Sequence, residues 1–526
     1  MGSLDYTAHF MNHSTTSLRP VTSAVAVAFL LLCAWAWPYT MEDAFISYRY
    51  AKHIGDGIGP IWNLVDGQRP VEGYTSFAHV WLLGALRLAT RVELAIAAKL
   101  LGVLATLAVV ASLAHEMARR GLGAPASCVG LGFALLPVTV LASVSGLETS
   151  LFMLCNWLCL VAGLRALEGS PSSPWLFALA GLAGTLTRPE FAAAFAGVTA
   201  FVWWRRPALR PRLSVAVLLL AVLPGLAITA WRWSFYGDLF PNPFYVKQGR
   251  SPNYWGVSYV AHFLLFWASG YGLIGLAGCR SLGNRNRDLL GLSALAVGVP
   301  CLYFTTVTPL GGDWSRFLVP QLPILAYCAA VSLPERSATG ARRLGRAGAL
   351  GVALMLVFSL VHLPAIVWFV PRHQAADVRF RELARRLRPF AAPDRWLAYK
   401  DVGLIPYESE WNTLDVVGLN TRREDLRSPC KMKPDLLLQW RWSAGKVPNP
   451  CPNLYVAIAD LHFGVGQMIS RGGSGDTYMG VLVRKDVSYA RELQASLLEG
   501  FPEPFARPRG WLHWYWETFR FHLFPH

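Results

Sequence analysis

Tyr39-Thr40-Met41-Glu42-Asp43-Ala44-Phe45-Ile46-Ser47-Tyr48-Arg49-Tyr50 follows directly on an apolar run from Val21 to Trp37. A helix of that length crosses most of the ~30 Å hydrocarbon core of a bilayer. Two adjacent carboxylates at its exit are costly unless they are exposed or used. The pair therefore marks a loop on the far side of a membrane, and the chain can be threaded outward from it. Arg19 precedes the run and no small-residue cleavage site follows, so the segment reads as an uncleaved signal-anchor.

The composition agrees. Of 526 residues, 54% are hydrophobic and 15% charged, and the mean hydropathy is +0.35. A soluble domain carries about 25% charged residues. The deficit lies in residues 20 to 370, where apolar runs without a polar face alternate with short polar loops. The net charge of +16 sits in those loops: Arg119/Arg120, Arg205/Arg206/Arg210/Arg212, Arg280/Arg285/Arg287 and Arg336/Arg342/Arg343/Arg346. That is a positive-inside bias. No basic stripe or nucleic-acid module accompanies it, which argues against a nucleic-acid partner.

With the N-terminus in the cytoplasm and a first helix at 21–39, the first external loop spans 39–93. The short run 76–90 is read as a membrane-dipping part of that loop. A full crossing there would put Arg119 and Arg120 outside. Helices then fall near 94–114, 126–144, 148–167, 174–187, 190–204, 213–234, 257–279, 288–308, 316–333 and 345–370. With the first, these make about eleven transmembrane helices. All four basic loops then lie inside. Glu42/Asp43, Glu148, Arg188/Glu190, Asn242/Lys247 and Asp313/Arg316 lie outside.

After residue 370 charge, Pro and Gly rise. Residues 372–388 read as a basic amphipathic helix leading out of the membrane. Trp396-Leu-Ala-Tyr, Thr413-Leu-Asp-Val-Val and Leu454-Tyr-Val-Ala-Ile read as strands. The expected fold is a polytopic α-helical membrane protein, residues 1–370, followed by a soluble extracytoplasmic α/β domain, residues 371–526. Of nine cysteines, Cys430 and Cys451 lie in that domain and form a candidate disulfide; the others sit in or beside apolar runs. The aromatic tail Trp511-Leu-His-Trp514-Tyr515-Trp516 is open to three readings: packing on the domain, a sugar-stacking surface, or the membrane interface.

Asp43 could act as a general base on an acceptor hydroxyl or steady positive charge at an anomeric carbon. The alternative is an interfacial residue capping a helix from Ala44. Arg188, Lys247 and Arg316 are external cations at helix ends, suited to an anionic phosphate or to plain interfacial anchoring. Glu148 opens a helix, where it stabilises the dipole or lines a site. Gly55-Asp-Gly-Ile-Gly59 lacks a preceding strand and a Lys-Ser/Thr, which excludes a phosphate loop. His53, His79 and His262 are too dispersed for a zinc site.

Asp43-Ala-Phe-Ile-Ser-Tyr-Arg-Tyr-Ala followed by Val71-Glu72-Gly73-Tyr74-Thr-Ser resembles the first-loop signature of GT-C membrane glycosyltransferases. It is most similar to the mycobacterial terminal β-(1→2) arabinofuranosyltransferases, whose acidic pair is usually Asp-Asp; Glu42 replaces the first here. Ser145-Gly-Leu-Glu148-Thr, Thr187-Arg188-Pro-Glu190, Tyr236-Gly-Asp, Pro241-Asn242-Pro-Phe-Tyr-Val-Lys247 and Gly311-Gly-Asp313-Trp-Ser-Arg316-Phe resemble the same proteins. So do Asp401-Val-Gly403 and Leu414-Asp415-Val-Val-Gly418-Leu419-Asn420.

The resemblance implies a bacterial inner-membrane enzyme that moves a sugar, arabinofuranose among the candidates, from a polyprenyl-phosphate donor to an extracytoplasmic glycan, lipid or protein. Asp43 and Glu42 would be catalytic. Arg49, Arg188, Lys247 and Arg316 would bind the donor phosphate, and Glu72, Tyr74, Glu148, Asn242 and Asp313 the substrates. No cofactor is assigned; a divalent cation held by Asp43 and Glu148 is left open. The competing readings are a multi-pass transporter or flippase of a lipid-linked envelope precursor, and an inactive scaffold. Polar residues at external helix ends and the lack of an internal repeat argue against transport.

Overall fold

The computed structural model describes residues 4–65, 69–247, 251–278, 284–307, 315–333, 341–422, 424–426, 428–441, 446–465 and 476–502. Asp313 and the aromatic tail fall outside them. Among the described residues, six helices are long and apolar enough to cross a membrane: Arg19–Ala36, Leu94–Arg119, Thr149–Leu167, Pro207–Tyr236, Tyr254–Leu276 and Arg287–Thr306. A seventh is bent by 49° between Ala124–Leu135 and Pro137–Val144. The expected straight helix 126–144 thus breaks in its middle. Leu136 precedes a proline and takes an extended conformation, ψ 134°, as the ring of Pro137 demands.

Phe77–Thr90 is an apolar helix of 14 residues, about 21 Å long and too short for the full core. It packs beside Ala44–Gly55, a helix whose first two turns are buried. Leu94–Arg119 then starts on an N-cap, Glu93, whose carboxylate accepts the N–H groups of Ala95 and Ile96.

Thr149–Leu167 has 19 residues and so separates Glu148 from Glu168 by about 30 Å. At the Glu168 end, Arg119 reaches Glu168 at 2.7 Å and Arg206 donates to the carbonyl of Leu167. Arg205 pairs nearby with Asp288 at 2.6 Å. Basic loops far apart in sequence therefore share one end of the bundle. The segment expected as 345–370 and the amphipathic segment 372–388 form a single helix, Ala341–Leu387, of 47 residues. The carbonyl of Leu387 accepts the indole N–H of Trp411 at 2.8 Å.

Beyond it lies a five-stranded sheet, β1 (Trp396–Tyr399), β2 (Asn412–Asp415), β3 (Leu436–Arg441), β4 (Tyr455–Val465) and β5 (Asp476–Arg484), in the order β2-β1-β3-β5-β4. β1 is parallel to β2 and β3, and β5 is antiparallel to β3 and β4. Side chains alternate across it. Leu397, Leu436, Leu438, Val481 and Val483 join the main core. Ala398, Leu437 and Leu482 form a second cluster with Val447 and Cys451. Cys451 is bonded to Cys430, their Cα atoms 5.7 Å apart.

The sheet is tied to the first loop. Arg49 donates to the carbonyls of Trp62, Pro406 and Trp411, each at 2.9 Å. Asn63 exchanges two hydrogen bonds with the backbone of Thr413.

Candidate active site

Asp43, Tyr74, Glu148, Arg188, Lys247 and Arg316 line one cavity of about 210 Å³, which they reach from six separate stretches of chain. Asp43 stands at the head of helix Ala44–Gly55, and Met41 beside it donates its N–H to the carbonyl of Ser145 at 2.9 Å. That bond sets the carboxylate next to the turn carrying Glu148. Gly146 makes the turn at φ +79°, and a Cβ there would fall 1.9 Å from the Tyr48 hydroxyl. The residue must be glycine on both counts.

The charges pair in two groups. Arg188 donates to Glu148 at 2.8 Å and to Glu190 at 2.7 Å. Burial opposes ionisation of Glu148, but Arg188, His79 and Arg316 outweigh it and hold its carboxyl below the usual range. Arg316 donates one nitrogen, Nη2, to Oδ2 of Asp43 at 2.8 Å. Its Nε and Nη1 are buried and meet no acceptor among the described residues. Lys247 likewise makes no hydrogen bond or ion pair among the described residues and faces the same cavity. Phe317 underlies the guanidinium groups of Arg188 and Arg316 at 4.4 and 4.8 Å, and itself stacks on Phe304.

One part of the cavity thus holds two carboxylates for one cation. The other holds two cations for one carboxylate, with donors to spare. Buried N–H groups without acceptors are costly, which leaves the Arg316 guanidinium short of acceptors among the described residues. Asp43 and Glu148 each already face an arginine, and among the described residues no group of His, Cys, Asp or Glu is arranged to hold a metal ion.

Four expected residues stand outside the cavity, each for a physical reason. Glu42 turns towards the C-terminal domain, where its Oε1 accepts the N–H groups of Gly403 and Leu404 at 2.6 and 3.1 Å. Burial, then Asp401 and Asp43, push its pKa well up. Arg49 is spent on its three carbonyls. Glu72 is buried in a two-point pair with Arg232. Asn242 donates its amide to the carbonyls of Gly418, Leu419 and Thr421 at 2.7, 3.0 and 3.1 Å. Of the four, Asn242 bonds directly to a lining residue, Leu419.

Glu190, Phe304, Phe317 and Leu419 line the cavity and were not singled out from the sequence as site residues. Glu190, Phe317 and Leu419 stood inside quoted motifs. Phe304, within an apolar helix, carried no signal that separates a cavity wall from a core residue.

Residues 369–465 match a family model described as a domain of unknown function, DUF8728. No curated protein matches the sequence. Solved structures do match in three dimensions, among them crystal structures of ArnT from Cupriavidus metallidurans, one in the apo state and one bound to undecaprenyl phosphate. The apo form aligns at TM-score 0.53 and 13% identity, covering 88% of this chain and 98% of that one. The bound form gives TM-score 0.53 and 13% identity over 90% and 99%. The chain has the fold of ArnT. At this identity the likeness shows the fold alone, over nearly the whole length of both chains.

Proposed function

We propose that the chain is a membrane glycosyltransferase that takes a sugar from a polyprenyl-phosphate donor. The observation that carries this reading is one cavity in which a carboxylate, Asp43, stands beside two cations, Lys247 and Arg316, and Arg316 Nε and Nη1 lack an acceptor among the described residues. The likeness to ArnT, a GT-C glycosyltransferase with a structure holding undecaprenyl phosphate, supports it. So do the apolar helices, which would keep the lipid tail in the bilayer while its phosphate enters the cavity.

The donor phosphate would lie between Lys247 and Arg316. An acceptor hydroxyl would attack the anomeric carbon as the bond from that carbon to the phosphate oxygen breaks. The acceptor proton would pass to Asp43, whose Oδ1 is free of the Arg316 contact. The electron pair of the broken bond leaves with polyprenyl phosphate, and Lys247 and Arg316 stabilise that charge. Arg188, held by Glu148 and Glu190, would keep Phe317 and Arg316 in place. In this reading the chain crosses the membrane about eleven times, with residues 371–526 outside the cytoplasm. Arabinofuranose is the first sugar to try, on the resemblance of the first-loop signature.

The test is transfer by the purified protein from synthetic polyprenyl-phosphoryl arabinofuranose and polyprenyl-phosphoryl mannose, with release of free sugar to water as the acceptor-independent readout. Turnover of either donor supports the reading and names the sugar. Silence with both, together with no donor binding, would move the weight to a transporter of lipid-linked precursors.

A further inference from the structure

One wall of the cavity belongs to the C-terminal domain. The chain leaves β2 at Asp415 and turns back within six residues, and Leu419 in that turn lines the cavity. The turn is built with unusual care. The Asp415 carboxylate accepts the N–H groups of Val417, Gly418 and Asn420 at 2.8, 3.1 and 2.9 Å, and the Asn420 amide at 3.2 Å. Gly418 sits at φ +89°. From outside, Asn242 spans three carbonyls of the same turn, and the Tyr50 hydroxyl donates to Asn420 Oδ1 at 3.2 Å. Gly73 packs so closely that a Cβ would lie 1.7 Å from that oxygen.

Residues of the first loop and of the Pro241–Pro243 segment thus hold the turn in one place. The partners of Asn242 and Tyr50 are in the turn that carries Leu419, not elsewhere in the sheet domain. A wall so fixed is pre-organised, and pre-organisation is what shape discrimination needs.

We infer that Leu419 is a specificity-determining residue that limits the size of the transferred sugar. The inference rests on reading the cavity as the donor site. Lys247, Arg316 and Asp43 act on groups every glycosyl phosphate shares, the phosphate and the anomeric carbon, so they cannot tell one sugar from another. Discrimination falls to an apolar wall that a larger ring or an added hydroxymethyl group would strike. Beside Ile46, Leu147, Phe240 and Phe244, Leu419 supplies the part of that wall that the C-terminal domain holds in place. One carbon more or less in such a pocket is worth roughly 10- to 200-fold in selectivity. Leu419→Ala opens room for the extra carbon of a hexose.

The experiment uses the full-length protein in detergent. Dissociation constants and sugar release are measured with polyprenyl-phosphoryl arabinofuranose and polyprenyl-phosphoryl mannose, for wild type, Leu419→Ala and Leu419→Phe. Leu419→Ala should raise the hexose-to-pentose ratio by at least about tenfold, and Leu419→Phe should lower it. A ratio between two donors on one preparation is insensitive to the amount of folded protein, so a purely structural role would not move it. Ratios equal to wild type in both variants would overturn the inference and leave the donor site standing. Failure of wild type to bind either donor would overturn both.

Discussion

Lys247 is a cavity residue whose charge depends on its surroundings. Burial pushes its pKa down, Asp43 pulls it up, and Arg316 and Arg188 push it down again, with a net shift below the ordinary lysine value. A glycosyl phosphodiester keeps its single negative charge across the accessible range. Donor affinity from Lys247 is therefore present below its depressed pKa and is lost as pH rises through it, at a lower pH than an ordinary lysine at about 10.4 would give. Donor binding titrated against pH should weaken by tenfold or more over that window, the worth of about 1.5 kcal/mol for a charged hydrogen bond. Lys247→Arg should flatten the curve, because a guanidinium stays charged. A wild-type profile as flat as that of Lys247→Arg would show that the ammonium does not meet the phosphate.

At this scale the sequence was partly legible. Asp43, Glu148, Arg188, Lys247 and Arg316 stood out because charge beside apolar helices is expensive and calls for a reason. Where each side chain turns was not legible. Arg49 and Arg316 look alike in sequence, yet one is consumed by backbone carbonyls, two of them in a domain some 360 residues away, and the other has two nitrogens without an acceptor among the described residues.

Among the elements, the first loop and the sheet domain are the pair that must stay together. Their contact at Gly403 leaves no room: a Cβ there would lie 2.1 Å from the carbonyl oxygen of Glu42 and 2.6 Å from its carboxylate. Gly403→Ala should cost about 1–3 kcal/mol through overpacking, read as a lower unfolding temperature in detergent, with donor turnover falling alongside. Unchanged stability and turnover would mean that the Glu42 contact does not hold the two elements. Helix positions were largely legible from runs of apolar residues. The break before Pro137 shows the limit of that signal: hydropathy runs on through 126–144 while the backbone bends. The merging of the last membrane segment with the amphipathic stretch after it was equally invisible. A change in composition need not be a change in conformation.

For the whole molecule, Arg119 and Arg205/Arg206 gather at the Glu168 end of Thr149–Leu167 while Glu148, at its other end, lines the cavity; the charge-based threading would turn the cavity and the sheet domain away from the cytoplasm. A reporter placed after Arg484, at the end of β5, should work only outside the cytoplasm, and activity confined to the cytoplasm would reverse the orientation. Sheet topology and the closing of the cavity by Leu419 depend on contacts between distant segments, and no local pattern carries those. The most direct measurement compares Asp43→Asn with Glu42→Gln on one donor, scoring binding and turnover separately. Asp43→Asn should keep donor binding within a few-fold and lose turnover by 10²-fold or more. Glu42→Gln preserves the acceptor oxygen facing Gly403 and Leu404 and should stay within a few-fold of wild type. Full turnover in Asp43→Asn, or its loss in Glu42→Gln with the fold intact, would place the chemistry on a different carboxylate.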